Sequence, residues 1–145
     1  MSQENIAIVR RFFAEQDEHR GPPPAHLCAA DYRAHVVGFP DMDLAGHVQL
    51  GKAFYGAFPD LSQRIDDAIA DGGRVAVRMT ATATHRGPFM GLAPTGKRIS
   101  ISGMATLRIV DGKVAELHEI FDQLGMMEQI GALAHGPSAS SGGTA

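Results

Sequence analysis

The feature that most constrains this chain is a switch of periodicity at Pro59. Downstream of it, Leu61 to Ala70, Arg74 to Arg86, Lys97 to Val110 and Lys113 to Asp122 all read as strands separated by turn residues. The connections Asp71-Gly72-Gly73 and Asp111-Gly112 suit tight antiparallel turns, since glycine and aspartate tolerate positive φ. Upstream the spacing is helical. Residues 4 to 19 place Ile6, Val9, Phe12 and Phe13 on one stripe, with Ser2 and Asn5 available as caps. Gly21 and Pro22 to Pro24 end that helix, and Ala25 to Ala30 has room only for a short turn of helix before Tyr32 to Val37 becomes extended. After a loop through Pro40 and Asp43, Gly46 to Phe58 carries Val48, Leu50, Phe54 and Phe58 at helical spacing up to Pro59. Residues 123 to 133 make a last short helix. Three helices and one strand followed by four strands form an α+β pattern with a mostly antiparallel sheet.

At 145 residues the chain is long enough for one domain around a modest cavity, expected over residues 1–133. Residues 134–145, containing PSASSGGTA, hold too little apolar content to order themselves and are expected to form a flexible tail. The net charge of −3 comes from acids and bases mixed along the length, so no basic stripe tracks a phosphate backbone and no nucleic-acid partner is expected. Cys28 is the sole cysteine and has no zinc-type partners at finger-like spacing, which makes it a reduced core thiol. The opening MSQENIAIVRRFF has charges where an export signal needs an apolar stretch, and no window approaches the roughly 20 apolar residues of a membrane span; the expected location is cytoplasmic.

Two decoys fall away. Gly91 to Lys97 matches seven positions of a phosphate-binding loop, but Arg98 replaces the magnesium-binding hydroxyl and alternating Ile99 and Ile101 replace the required helix. Asp41 and Asp43 are an acidic pair in a loop, ordinary turn chemistry. Neither cofactor nor metal is expected.

The hairpin Lys97 to Asp122 carries the most information, because its two-residue turn pairs Val110 with Lys113 and fixes what lies opposite what. Without a bulge, Leu107 faces Glu116, Ala105 faces His118, Gly103 faces Ile120 and Ile101 faces Asp122, all on one side of the sheet. Gly103 and Ala105 leave volume there, so His118 and Asp122 are expected to look into a cavity. Lost hydration would raise the Asp122 pKa toward the range useful for proton transfer, making it the acid/base candidate. The competing role for Asp122 is the cap of the helix starting at Gln123. His118 either orients Asp122 or a substrate oxygen, or is structural; Glu116 nearer the turn reads as a solvated carboxylate. His35 shares a face with Arg33 and Val37, and pattern alone does not decide its role. His85 ends an apolar row and is expected at a rim, while Arg78, Thr80, Thr82 and Thr84 form a solvated or subunit-facing row. Phe54, Phe58, Phe89 and Met90 are core residues that in a cone-shaped fold also line a pocket.

Ala57-Phe58-Pro59-Asp60-Leu61, Thr84-His85-Arg86-Gly87, Pro94-Thr95-Gly96-Lys97, Arg108-Ile109-x-Asp111-Gly112-Lys113, and Asp122-Gln123-Leu124-Gly125 through Gln129-Ile130-Gly131 resemble, in order over about residues 4 to 133, the SnoaL-like polyketide cyclase / ester cyclase family. The resemblance implies an NTF2-like cone-shaped α+β barrel, with a curved, mostly antiparallel sheet packed on N-terminal helices around an internal cavity. It implies a homodimer or larger assembly formed on the outer face of the sheet. The activity implied is cofactor-independent intramolecular aldol cyclisation of a hydrophobic, polyketide-like molecule, with an aspartate matching Asp122 as acid/base and a cavity histidine matching His35. His118 stands where many relatives carry tryptophan. On that reading Asp122 takes the proton between two carbonyls, and His35 or His118 stabilises the alkoxide, with Gly103, Ala105, Phe54, Phe58, Phe89 and Met90 around the substrate. The same scaffold also hosts isomerases, epoxide hydrolases, cofactor-free oxygenation partners and plain ligand-binding or accessory domains, so fold alone leaves the reaction open.

Overall fold

The computed structural model describes residues 2–133. The expected flexible tail lies outside the described residues. Helix α1 spans Ser2–His19 and buries Val9, Phe12 and Phe13. Asn5 does not cap it: the residue lies within the helix, and its side chain reaches out to donate to the Gly72 carbonyl at 3.1 Å. A single 3₁₀ turn, Ala25–Leu27, replaces the expected short helix, and strand β1 begins at once, Cys28–Val36. The loop after it contains a short strand the sequence did not reveal, β2 at Met42–Asp43, paired to Arg33 and Ala34. Asp43 then caps helix α2, Leu44–Ala57, by accepting the Gly46 N–H at 2.9 Å.

The remaining strands are β3 Ser62–Asp71, β4 Arg74–Thr84, β5 Arg98–Val110 and β6 Lys113–Phe121, followed by helix α3 at Gln123–Gln129. The β5–β6 turn is built as its residues require, with Asp111 at φ 51° and Gly112 at φ 76°. These strands form one six-stranded sheet in the order β2-β1-β6-β5-β4-β3, antiparallel except where β1 runs parallel to β6. The sheet is curved and does not close. Its inner face holds α1 and α2, and its outer face carries the alternate side chains, including Arg78 and Thr80.

Two apolar clusters fill the inner face. One joins Phe12, Phe13 and Tyr32 to Val75, Leu107, Val114 and Leu117. The other joins Phe58, Phe89, Ile99, Met126 and Ile130 at the opposite end. Each fully buried large side chain contributes about 1.5–3 kcal/mol by leaving water. Cys28 belongs to the first cluster, and burial pushes its thiol up to about 12, in keeping with an inert core residue. The second cluster is closed by two close approaches. Arg86 and Gly87 both donate their N–H groups to the Ala57 carbonyl, at 2.9 and 3.0 Å, and Gln129 bonds both backbone groups of Ser100, at 2.7 and 3.0 Å. Among the described residues no helix is long and apolar enough to cross a membrane.

Candidate active site

The site is decided by one bulge. Val110 pairs with Lys113 as the turn demands, and Ile109 with Val114, but Val114 and Ala115 are both buried, at 0% and 3% exposure, and the ladder resumes one residue late. From there Arg108 faces Glu116, Leu107 faces Leu117, Thr106 faces His118, Ala105 faces Glu119 and Gly103 faces Phe121. Asp122 donates its N–H to Ser102, not Ile101, at 3.0 Å. A slip of one residue turns every later side chain to the other face. The expected inward row of Glu116, His118 and Asp122 is therefore corrected: these residues lie on the outer face, and Leu117, Glu119 and Phe121 face inward. The physical reason is burial. An unbulged ladder would push Glu116 and His118 under α1 and expose Leu117, which instead is fully buried.

Between the two apolar clusters lies a cavity of about 100 Å³, bounded by Gln16, by His47, Phe54 and Tyr55 of α2, by Gln63, by Ile101 and Gly103 of β5, and by Glu119 and Phe121 of β6. Glu119 is half-buried by area and borders both this hollow and a more open groove beside His118 and Ile120. Burial raises its carboxyl from 4.5 to about 7, with no cation or hydrogen bond to offset the loss of water. This is the environment anticipated for Asp122, occupied by a different acid.

His47, 8% exposed, approaches from α2 with its ring stacked on Tyr32 at 5.9 Å and its Nδ1 2.8 Å from the Tyr32 hydroxyl. Burial pulls the imidazole down to about 4 and pushes the phenol far above its usual range. Among the described residues the buried Tyr32 hydroxyl has no acceptor besides His47 Nδ1, so its O–H donates there and the neutral ring carries its proton on Nε2. Nearby, the Tyr55 hydroxyl donates to Asp17 at 2.7 Å, and the Gln63 side chain donates to Asp17, Tyr55 and Gln16, each at 3.2 Å. That network is internally satisfied and fixes the wall. Sequence reading missed both Glu119 and His47. The available signal for Glu119 was the pair Val114-Ala115, two apolar residues in succession ahead of Leu117 and Phe121, which are out of phase with Val114.

The residues expected at the site separate as follows. Phe54 and Gly103 line the cavity. Phe58 and Phe89 pack inside the second cluster and Ala105 inside the first, so they support the wall without lining it. Met90, at φ 50° in the β4–β5 connection, is 73% exposed and turned to solvent. Asp122 is exposed and caps α3, accepting the Gly125 N–H at 2.8 Å. The fit is tight enough that a Cβ on Gly125 would lie 2.1 Å from an Asp122 oxygen. His85 is not at a rim: it is fully buried, its Nδ1 accepting from the Thr95 N–H at 3.2 Å and its ring set against Phe58.

His35 and His118 meet on the outer face, because parallel pairing puts their strands in register. Their rings stack with centroids 4.3 Å apart. Asp41 lies 2.9 Å from His35 Nδ1, Glu116 lies 2.8 Å from His35 Nε2, and the second distance from Glu116 Oε2, to His118 Nε2, is 3.5 Å. Asp41 first, then Glu116, hold the His35 imidazole above its usual value. Neither histidine lines the inner cavity.

The sequence profile of the SnoaL-like polyketide cyclase family matches residues 7–130. Among solved structures, the chain is similar to AclR from Streptomyces galilaeus, a proposed hydroxylase, at 28% identity and a TM-score of 0.85, covering 99% of this chain and 91% of that one. It is similar to wild-type IdmH from Streptomyces antibioticus, a proposed polyketide cyclase, at 27% identity and a TM-score of 0.72, covering 89% and 97%. A proposed SnoaL-like polyketide cyclase from Jannaschia sp. CCS1 shares the fold, with a TM-score of 0.80, 20% identity, and 92% and 95% of the two chains covered. None of the curated proteins matches the chain. With its curved sheet, its helices and the greater part of its length in register with that profile, the chain belongs to the SnoaL-like polyketide cyclase family.

Proposed function

We propose that this protein catalyses a proton-transfer reaction of the cyclase type, an intramolecular aldol closure on a small polycarbonyl molecule, with Glu119 as the acid/base. One observation supports this above the others: a carboxyl group raised to about 7 by burial, on the wall of a mostly apolar hollow. A hydrogen between two carbonyls is already acidic, so the protein needs to supply only a positioned base and a donor for the oxygen that gains charge. The Glu119 carboxylate takes that proton, and the enolate oxygen receives a hydrogen bond from His47 Nε2–H. The enolate carbon then attacks a second carbonyl of the same molecule, forming a carbon–carbon bond, and the protonated Glu119 returns its proton to the new alkoxide. Atoms balance as an isomerisation. A neutral imidazole suits the donor role because it polarises an oxygen without giving up its proton.

The cavity volume of about 100 Å³ is below the roughly 300–1,000 Å³ of pockets that enclose drug-sized ligands. It takes the reacting carbonyl portion, and the rest of a larger substrate lies at the mouth. Outside, Val37, Ile69, Met104 and Ile120 are 53–67% exposed on the outer face, a patch suited to pairing with a second copy.

The similarity to AclR favours a second reading, in which the same carbanion is trapped by dioxygen. Both readings share the first step, so the test is exchange of the acidic hydrogen of a 1,3-diketone with deuterated water, followed by NMR. The expected result is protein-accelerated exchange that Glu119→Gln abolishes and Asp122→Asn retains. Exchange lost in Asp122→Asn but kept in Glu119→Gln would return the base to Asp122. Oxygen dependence of turnover separates the two fates of the carbanion.

A further inference from the structure

We infer that His35, Glu116 and His118 form a binding site for a zinc-type divalent cation on the outer face of the sheet, with Asp41 behind it. Nothing in the reaction at the inner cavity uses these residues. The tertiary structure assembles them: parallel pairing sets His35 beside His118, and the bulge at Ala115 turns Glu116 and His118 outward together. One ligand atom from each of the three residues lies within 4.8 Å of the others.

Bonds of about 2.1 Å meeting at a tetrahedral angle set neighbouring ligand atoms roughly 3.4 Å apart. The Glu116 oxygen facing the histidines is 2.8 Å from one Nε2 and 3.5 Å from the other, on either side of that spacing. The remaining adjustment is a swing of His118 out of its stack, and that side chain is 56% exposed. Glu116 is already oriented: Arg108 Nε holds its other oxygen at 3.5 Å and leaves Oε2 toward the rings. Asp41 supplies the outer support characteristic of metal-binding histidines, a carboxylate on the ring nitrogen that does not face the metal, at 2.9 Å.

Two imidazoles and one carboxylate suit zinc, cobalt or nickel better than calcium or magnesium, which prefer all-oxygen shells. Three protein ligands leave a fourth position for water or an anion. Arg108 and Arg33 on the neighbouring strand positions lower the affinity for a bare cation and favour an anionic fourth ligand.

The test is a titration of the full, chelator-treated chain with Co²⁺ and then Zn²⁺, followed by visible absorption and calorimetry. One Co²⁺ per chain with visible d–d bands that Zn²⁺ displaces is expected. His118→Ala and Glu116→Gln should weaken binding at least tenfold, Asp41→Asn about 10- to 100-fold as for lost outer-shell partners, and Glu119→Gln should leave it unchanged. Circular dichroism confirms that the variants fold. Absence of saturable binding, or equal binding by His118→Ala and Glu116→Gln, would overturn the site.

Discussion

Replacing Glu119 by glutamine preserves the side-chain shape and removes the charge, so its effect on stability can be worked out from burial. The fold raises this carboxyl from 4.5 to about 7. At roughly 1.4 kcal/mol per pH unit, the ionised carboxylate costs the native state about 3 kcal/mol. The sign follows from proton counts. Between 4.5 and about 7 the native state still holds a proton that the unfolded chain has released, so stability falls as pH rises through that window and levels off above it. His47 acts in the opposite sense: its imidazole is lowered from 6.5 to about 4, so stability falls as pH drops through that interval. The two slopes largely cancel between 4.5 and 6.5 in the native protein. Urea unfolding at a series of pH values, wild type against Glu119→Gln, isolates the first term, because every other group subtracts out. The stability difference should move by about 3 kcal/mol in favour of glutamine between pH 4 and pH 8, with the variant inactive in proton exchange throughout. A difference that stays flat across this range would refute the desolvated carboxylate on which the reaction rests.

Other expectations are more local. Asp122→Ala should cost about 1 kcal/mol by removing the cap of α3, read by urea midpoint, and leave deuterium exchange intact. Tyr32→Phe removes the donor to His47 Nδ1; a loss of about 1–3 kcal/mol in thermal or urea unfolding is expected, with exchange slowed because the ring tautomer is no longer held. Gly87→Ala places a Cβ 2.2 Å from the Gly56 carbonyl oxygen, in backbone that cannot swing aside, and should destabilise by about 1–3 kcal/mol in the same assay.

The elements were legible because they depend on local rules. The helical stripe of Val9, Phe12 and Phe13, the stop at Pro59 and the Asp111-Gly112 turn all stand where the structure has them. Strand β2 was not legible, since two residues show no alternation and Met42–Asp43 is extended only because β1 lies beside it. The acid at the cavity was misplaced for a related reason. Composition and turn chemistry set the first pair of the β5–β6 hairpin, but the choice between keeping Glu116 and His118 inward and inserting a bulge is made by what covers that face.

By itself, then, the sequence determined the order of the helices and the longer strands, the family, and the presence of acids and a histidine on the last strand, because periodicity, caps and turns act over a few residues. Which of those acids faces the hollow, and that His35 meets His118, only the tertiary structure decided. Burying Leu117 beneath α1 is worth more than keeping a regular ladder, and that preference, set by a helix about a hundred residues earlier, turned Glu119 inward and Asp122 out.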